Sequence, residues 1–225
     1  MDNNSSFINL RLAGKVRAIR LVVFDCDGVL LDTMVAKIEA FRRWVCARWP
    51  QHETVFLDHV MGSFGRSRNF QIEWFFNHCL DLAVAAEALA DEVARFTEIC
   101  EPLCADAGWL TGSSEFVAAC EAAGVPRYVL SGTPQRQLED MLVANGVDQR
   151  FSGIIGSPPT KSISLQKILA MTGIAPDAMV FVGDAEADAQ AAAAVGIHFV
   201  YKPSVAKRPL TPIQTEATDL RELLV

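Results

Sequence analysis

Apolar and polar positions along the chain fall into three regimes. Residues 18–24 end in the run Leu21-Val22-Val23-Phe24, which predicts a buried strand, with residues 1–17 as a leader ahead of it. From about Met34 to Cys104 the strand signal almost vanishes. "VAKIEAFRRWVCARW" (35–49) has helical spacing and stops at Pro50. "RNFQIEWFFNHCL" (68–80) and "AVAAEALADEVARFTEIC" (83–100) predict further helices, the second rich in Ala, Glu and Leu. The Trp and Phe residues of this stretch read as the core of a helical bundle.

Strands and helices then alternate. A helix starts at Ser113-Ser114-Glu115 and ends at Gly124. Residues 127–132 predict a strand, and Thr133-Pro134 caps the next helix with Pro at its first position, closed by Gly146. Strands follow at 153–156, 179–184 and 197–202, with helices at 163–173 and 186–196, and "TDLRELL" near the end predicts a short helix. Repeated strand–helix units with buried strands mean a parallel sheet covered on both faces. The expected architecture is α/β: a Rossmann-like doubly wound parallel sheet core from residues 1–33 and 105–225, with residues 34–104 as a helical insert.

Composition narrows the classes. The chain has 225 residues and is 51% hydrophobic, enough for a sizeable core. A net charge of −7, with no basic run interleaved with aromatics, argues against nucleic acid or an anionic membrane as partner. No apolar run reaches the ~20 residues of a bilayer span. The six cysteines form no C-x-x-C pair; Cys100 and Cys104 share a helix face without further ligands beside them. The N-terminus lacks a basic-then-apolar signal pattern. These features predict a soluble, cytoplasmic protein, monomeric or homodimeric.

In doubly wound sheets the ligand site lies at the carboxyl ends of the strands. Asp25 and Asp27 end the first strand, two apart and therefore on one side. Two like charges held together raise each other's proton affinity, so the pair calls for a cation or a reaction. Ser131-Gly132-Thr133 end the second predicted strand, and Gly183-Asp184 end another, with Asp188 four residues on. Lys161 lies just before a helix. Asp25, Asp27, Asp184 and Asp188 offer hard oxygen ligands suited to Mg²⁺. Ser131, with the backbone N–H groups of Gly132 and Thr133, makes an anion cradle, and Lys161 adds a positive charge. Carboxylates, cation and cradle together describe phosphoryl transfer.

D-x-D-G-V-L at Asp25–Leu30, Ser131 at a strand end, Lys161 and G-D-x-x-x-D at Gly183–Asp188 stand in an order that resembles the haloacid dehalogenase (HAD) superfamily, from Ile19 onward. The insert and the Asp32-Thr33 pair resemble the subgroup containing β-phosphoglucomutase and phosphoglycolate phosphatase. The resemblance implies a phosphotransferase core and a helical cap. It implies Asp25 as nucleophile forming an aspartyl-phosphate, and Asp27 as general acid and then base. It implies Mg²⁺ held by Asp25, the backbone carbonyl of Asp27 and Asp184, with Asp188 as a direct or outer ligand. Ser131 and Lys161 would bind the transferring phosphoryl group, with Lys161 also shielding Asp25.

Bland readings stand beside some of these. Asp188 also suits a helix first turn. Asp32 reads as a structural cap, and Cys26 as packing. Arg66, in the Gly-rich turn 62–67, fits either a second anionic group of the substrate or a solvated surface. No histidine shows metal spacing. Asp27 argues against dehalogenases and phosphonatases, which lack it. β-Phosphoglucomutase carries a His about ten residues past the acid/base aspartate, where this chain has Lys37. The expected function is therefore a Mg²⁺-dependent phosphatase acting on a small phosphorylated metabolite, a sugar phosphate or phosphoglycolate-like acid. A sugar phosphomutase is the alternative, and a non-catalytic binding protein on the same fold the other.

Overall fold

The computed structural model describes residues 6–225. Strands β1 (Ile8–Leu12) and β2 (Lys15–Ile19) pair antiparallel, Leu12 opposite Lys15. The two-residue turn Ala13-Gly14 has positive φ at both positions, the backbone that matches strand twist in a tight hairpin. This overturns the expectation of a leader feeding a strand at 18–24. Leu10, Leu12 and Ile19 alternate inward and are buried, so the hairpin covers the core as a separate two-stranded sheet. Residues 1–5 of the expected leader lie outside the described residues.

The main sheet is built from β3 (Leu21–Phe24), β4 (Arg127–Pro134), β5 (Gly153–Ser157), β6 (Met179–Gly183), β7 (His198–Tyr201) and β8 (Thr215–Glu216). Its order is β5-β4-β3-β6-β7-β8, with every pairing parallel. All residues of β3 and β6 are buried, as expected for central strands covered on both faces. Helices α5 (Ser113–Ala122), α6 (Gln135–Ala144), α7 (Lys161–Thr172) and α8 (Glu186–Val195) form the two outer layers. Phe24, Phe116 and Phe151 pack edge to face on one side of the sheet. Leu21, Val23, Leu130, Leu165 and Phe181 form a second core on the other.

Between β3 and α5 the chain forms α1 (Met34–Cys46), α2 (Glu53–Gly62), α3 (Arg68–Cys79) and α4 (Ala86–Cys104). α2 is a helix that periodicity did not predict. Its buried residues are Phe56 and Val60 alone, too few to mark a stripe. The aromatics of this block pack on one another. Phe41 stacks on Phe96 at 4.1 Å between ring centres, and Trp44 meets Phe75 edge to face at 5.2 Å. Buried Glu92 accepts a hydrogen bond from Trp44 Nε1 and pairs with Arg48, closing the end of this core. Among the described residues, no helix is long and apolar enough to cross a membrane.

Two boundaries differ from expectation in ways that shape the site. β4 runs on to Pro134, opposite Ser157 and past a register irregularity, so Pro134 is the N-cap of α6 and not its first residue. Lys161 is the first residue of α7 and not part of the preceding loop.

Candidate active site

The carboxyl ends of β3, β4 and β6 are neighbours because these strands are adjacent in the sheet. That adjacency brings Asp25, Asp27, Ser131, Gly132, Thr133 and Asp184 to one crevice, and α7 and α8 add Lys161 and Asp188. Gly28 has φ +74°, and a Cβ there would collide with Asp184 Oδ2. Only glycine lets the turn after Asp27 pass so close to that carboxylate. Cys26 points the other way, fully buried in the apolar core, and burial holds its thiol well above the usual range.

Carboxylate oxygens of Asp25, Asp184 and Asp188 all lie within 4.8 Å of one another. Lys161 Nζ stands 2.9 Å from Asp25 Oδ1 and donates to Asp188 Oδ1 at 2.5 Å. Asp188 Oδ2 accepts from the Ala185 N–H at 3.2 Å, so both of its oxygens are engaged within the protein. No ion pair reaches Asp184 among the described residues, and its buried Oδ2 has no hydrogen-bond partner. Burial, with Asp25 and Asp188 adding like charge, pushes the Asp184 carboxyl well above the ordinary range. Burial likewise pushes Asp25 up to about 7, against the pull of Lys161. Burial alone would lower Lys161, but Asp188 and Asp25 outweigh it and hold its ammonium charged.

An orphaned carboxylate oxygen beside two further carboxylates is a hard-oxygen donor set short of positive charge. That set fits Mg²⁺, which takes one or two carboxylates and keeps its remaining positions for water and phosphate.

Asp27 is held differently. Lys37 Nζ donates to Asp27 Oδ2 at 2.5 Å, and the Thr33 hydroxyl donates to Oδ1. Burial would raise the Asp27 carboxyl; the Lys37 ammonium, its hydrogen bond and that of Thr33 together bring it below the usual value. Ser131 Oγ lies 3.4 Å from Asp27 Oδ2, and the Thr133 N–H donates to Ser131 Oγ at 3.1 Å. Thr33 is the N-cap of α1, yet its side chain turns to Asp27 and makes no cap hydrogen bond. Asp32 is exposed and supplies none to that helix either.

The turn after α2 closes over this crevice. Gly65 O and Arg66 O lie so near Gly132 that an added Cβ would sit 2.8 and 2.9 Å from them. We expect Gly132→Ala to force the turn outward and lower kcat/KM about tenfold or more, and its overpacking to cost about 1–3 kcal/mol of stability, so that the melting temperature falls by several degrees. Steady-state kinetics beside a thermal melt check this; a full-speed variant would show that the contact has no part in turnover.

Arg66 is exposed, its guanidinium 5.2 Å from the Phe70 ring, and it lines the same crevice. Sequence reasoning missed Arg68. Ser67 caps α3 by accepting from the Phe70 N–H, which turns Arg68, one residue on, inward. Arg68 is 6% exposed, donates to Thr97 Oγ1 at 2.6 Å and lies 5.3 Å from the Phe96 ring. No carboxylate pairs with it among the described residues, and burial lowers its affinity for its proton. It lines the crevice together with Lys37 and Gln71.

A family model for haloacid dehalogenase-like hydrolases matches residues 19–196. The chain belongs to that family. It is a hydrolase with the HAD Rossmann-like core, and the match spans β3 through α8, the elements that carry every acidic residue described above. A phosphoglycolate phosphatase from Pseudomonas putida is 28% identical over 193 residues, 80% of this chain and 68% of that protein. Among solved structures, CbbY from Rhodobacter sphaeroides, in complex with xylulose-(1,5)bisphosphate, gives a TM-score of 0.72 at 19% identity, covering 91% of this chain and 96% of that one. β-Phosphoglucomutase from Clostridium difficile gives 0.69 at 16%, covering 92% and 90%. At these identities the two HAD structures share the fold with this chain.

Proposed function

We propose that this HAD hydrolase is a Mg²⁺-dependent phosphatase that cleaves a small phosphate monoester through an aspartyl-phosphate on Asp25. The observation that carries the reading is the convergence of Asp25, Asp184 and Lys161 on one buried point with Ser131 and Asp27 beside it. Asp25, Asp184 and the Asp27 carbonyl would hold the ion, whose charge when bound offsets the negative charge of Asp25 and of the transferring phosphoryl group. Asp188, with both oxygens engaged, fits an outer role that fixes Lys161. Lys161, Ser131 and the backbone N–H groups around Gly132 bind the phosphoryl oxygens.

Asp25 attacks phosphorus, and the bond to the leaving alcohol breaks as Asp27 gives that oxygen its proton. Water then attacks the aspartyl-phosphate with Asp27 accepting its proton, and inorganic phosphate leaves. Lys37 keeps Asp27 ionised before substrate arrives, the form the second step needs. The negative phosphoryl group of the arriving substrate raises the proton affinity of Asp27, which takes up a proton from solvent and so enters the first step as the acid.

The crevice at the nucleophile has about 40 Å³ of free space, enough for roughly three waters. A neighbouring cavity of about 180 Å³, between α4 and α6, shares Lys37, Arg68 and Thr133 with it. The leaving alcohol extends that way. Buried Arg68, without a carboxylate partner among the described residues, offers a pairing site for a second anionic group of the substrate, a carboxylate or second phosphate. That agrees with the named activities of the relatives, phosphoglycolate hydrolysis and sugar-bisphosphate binding. Arg68→Met should raise KM for such a substrate roughly 10- to 100-fold, the worth of a hydrogen bond to a charge, and leave p-nitrophenyl phosphate unaffected. An equal loss on both substrates would remove the second-anion assignment.

The reading is tested by phosphate release from a panel of monoesters with Mg²⁺ and with chelator. Release of inorganic phosphate supports the phosphatase; isomerised sugar phosphate instead would make the protein a mutase. Lys37, in place of the mutase histidine, favours the first.

A further inference from the structure

All six cysteines of the chain are free thiols, and two of them, Cys100 and Cys104, line the cavity between α4 and α6. Four apart on α4, they share a helix face. Their Sγ atoms stand 3.8 Å apart, in hydrogen-bond contact, and both residues are buried. Lys37 and Arg68 line the same cavity from α1 and α3. The hydrogen bond that Cys100 accepts from Cys104, with those two cations nearby, brings the Cys100 thiol down to about 7 against the effect of burial. The Cys104 thiol, as donor, is held well above the ordinary range. Burial shifts Cys26, Cys46, Cys79 and Cys120 upward, Cys120 to about 12. Cys100 is thus a thiol half ionised near pH 7 with a second, protonated thiol against it. A thiolate is the nucleophile toward oxidants, and a neighbouring thiol resolves the product it forms.

The helix gives way most easily at this point. Pro102, between the two cysteines, has no N–H to donate to the Glu98 carbonyl, and Cys104 is the last residue of α4. A disulfide draws its Cβ atoms to roughly 3.5–4.5 Å, from the about 5–6 Å of residues one helical turn apart. Only the terminal turn has to tighten for that. The cavity, of about 180 Å³, has room for a molecule as small as hydrogen peroxide beside the sulfurs.

We propose that Cys100 and Cys104 form a peroxide-reactive dithiol, a modification site whose oxidation reshapes the cavity that receives the leaving group. Cys100 attacks one peroxide oxygen as the thiolate. The O–O bond breaks, and the departing hydroxide takes up the proton that Cys100 had released, leaving a sulfenic acid and water. The Cys104 sulfur then attacks Cys100 Sγ, the S–O bond breaks, and hydroxide leaves with the Cys104 proton as a second water. Two thiols are oxidised to one disulfide, and one peroxide is reduced to two waters. Cys104 and Ala105 are part of the cavity wall, so tightening their turn moves that wall. The effect on turnover rests on the leaving group occupying this cavity, as in the proposed reaction; the formation of the disulfide does not.

The test treats the full chain with hydrogen peroxide and reads intact mass, dimedone labelling and p-nitrophenyl phosphate hydrolysis. The parent protein should lose the mass of two hydrogens, regain it in dithiothreitol, and take up no dimedone once oxidised. Cys104→Ser, without the resolving thiol, should stop at the sulfenic acid and carry dimedone on Cys100. Cys100→Ser should show neither product. On oxidation kcat/KM should fall roughly tenfold, short of the loss from an ångström-scale misplacement of a reacting group, and should return with dithiothreitol. A parent protein oxidised first at half-buried Cys46 or Cys79 would overturn the dithiol. So would a sulfenic acid on Cys100 that persists with Cys104 beside it. A disulfide formed without any change in hydrolysis would strike the effect on the cavity. A protein with no phosphatase activity at all would sink the proposed function instead, while its mass in peroxide would still decide the dithiol.

Discussion

Asp25→Asn is expected to lose turnover roughly 10⁴-fold or more, the scale seen when a nucleophile is removed from an otherwise intact site. The amide keeps the shape of the carboxylate, so packing at the end of β3 is preserved. What disappears is the attacking oxygen and one negative charge. The charge is not a loss to stability, because burial already holds this carboxyl up to about 7. A group whose folded-state pKa is raised stabilises the fold only while protonated, and that contribution fades as pH climbs through the folded value. At pH 8 the variant should therefore melt at or above the temperature of the parent protein while turning over almost nothing. A second readout ties the effect to chemistry. Acid quenching during turnover should trap a phosphoryl group on the peptide containing Asp25 in the parent protein and none in the variant. Normal turnover in Asp25→Asn would refute the nucleophile assignment.

The candidate site was legible in the sequence wherever one of its residues sits directly at a strand end. Asp25, Asp27, Ser131 and Asp184 follow runs whose burial is dictated by composition, and a parallel sheet places such ends together. Residues whose role depends on a partner far along the chain were not. Lys37 meets Thr133 across 96 positions, and no local pattern encodes that. Arg66 and Arg68 look alike as letters; only the helix start set by Ser67 decides that Arg68 faces in. The N-terminal hairpin was hidden because its turn places Ala13 at positive φ, a position for which Ala carries no signal. β4 outran its expected end because Pro134, which has no N–H to offer the ladder, still pairs with Ser157 at the sheet's rim.

Asp184→Asn should abolish the response to Mg²⁺ and yet stabilise the metal-free protein. In the absence of a cation, Asp25 and Asp188 share the ammonium of Lys161, while among the described residues Asp184 has no ion pair and one orphaned oxygen. A buried, uncompensated carboxylate is among the more expensive groups a fold can carry. A neutral amide relieves that cost, so the melting temperature in chelator should rise. The rise should be larger at pH 8 than at pH 5, since the raised affinity of the Asp184 carboxyl lets it take up its proton, and shed its charge, as pH falls. The parent protein should instead gain stability on adding Mg²⁺, by about 2.7 kcal/mol once the ion stands at a hundred times its dissociation constant. The variant should show little of that gain, and its phosphatase activity should be lost because the phosphoryl group no longer meets a cation beside Asp25. The opposing directions make the assignment sharp: a residue with only a structural role would lower the melting temperature when replaced. A variant that melts lower in chelator and still gains stability from Mg²⁺ would place the ion elsewhere.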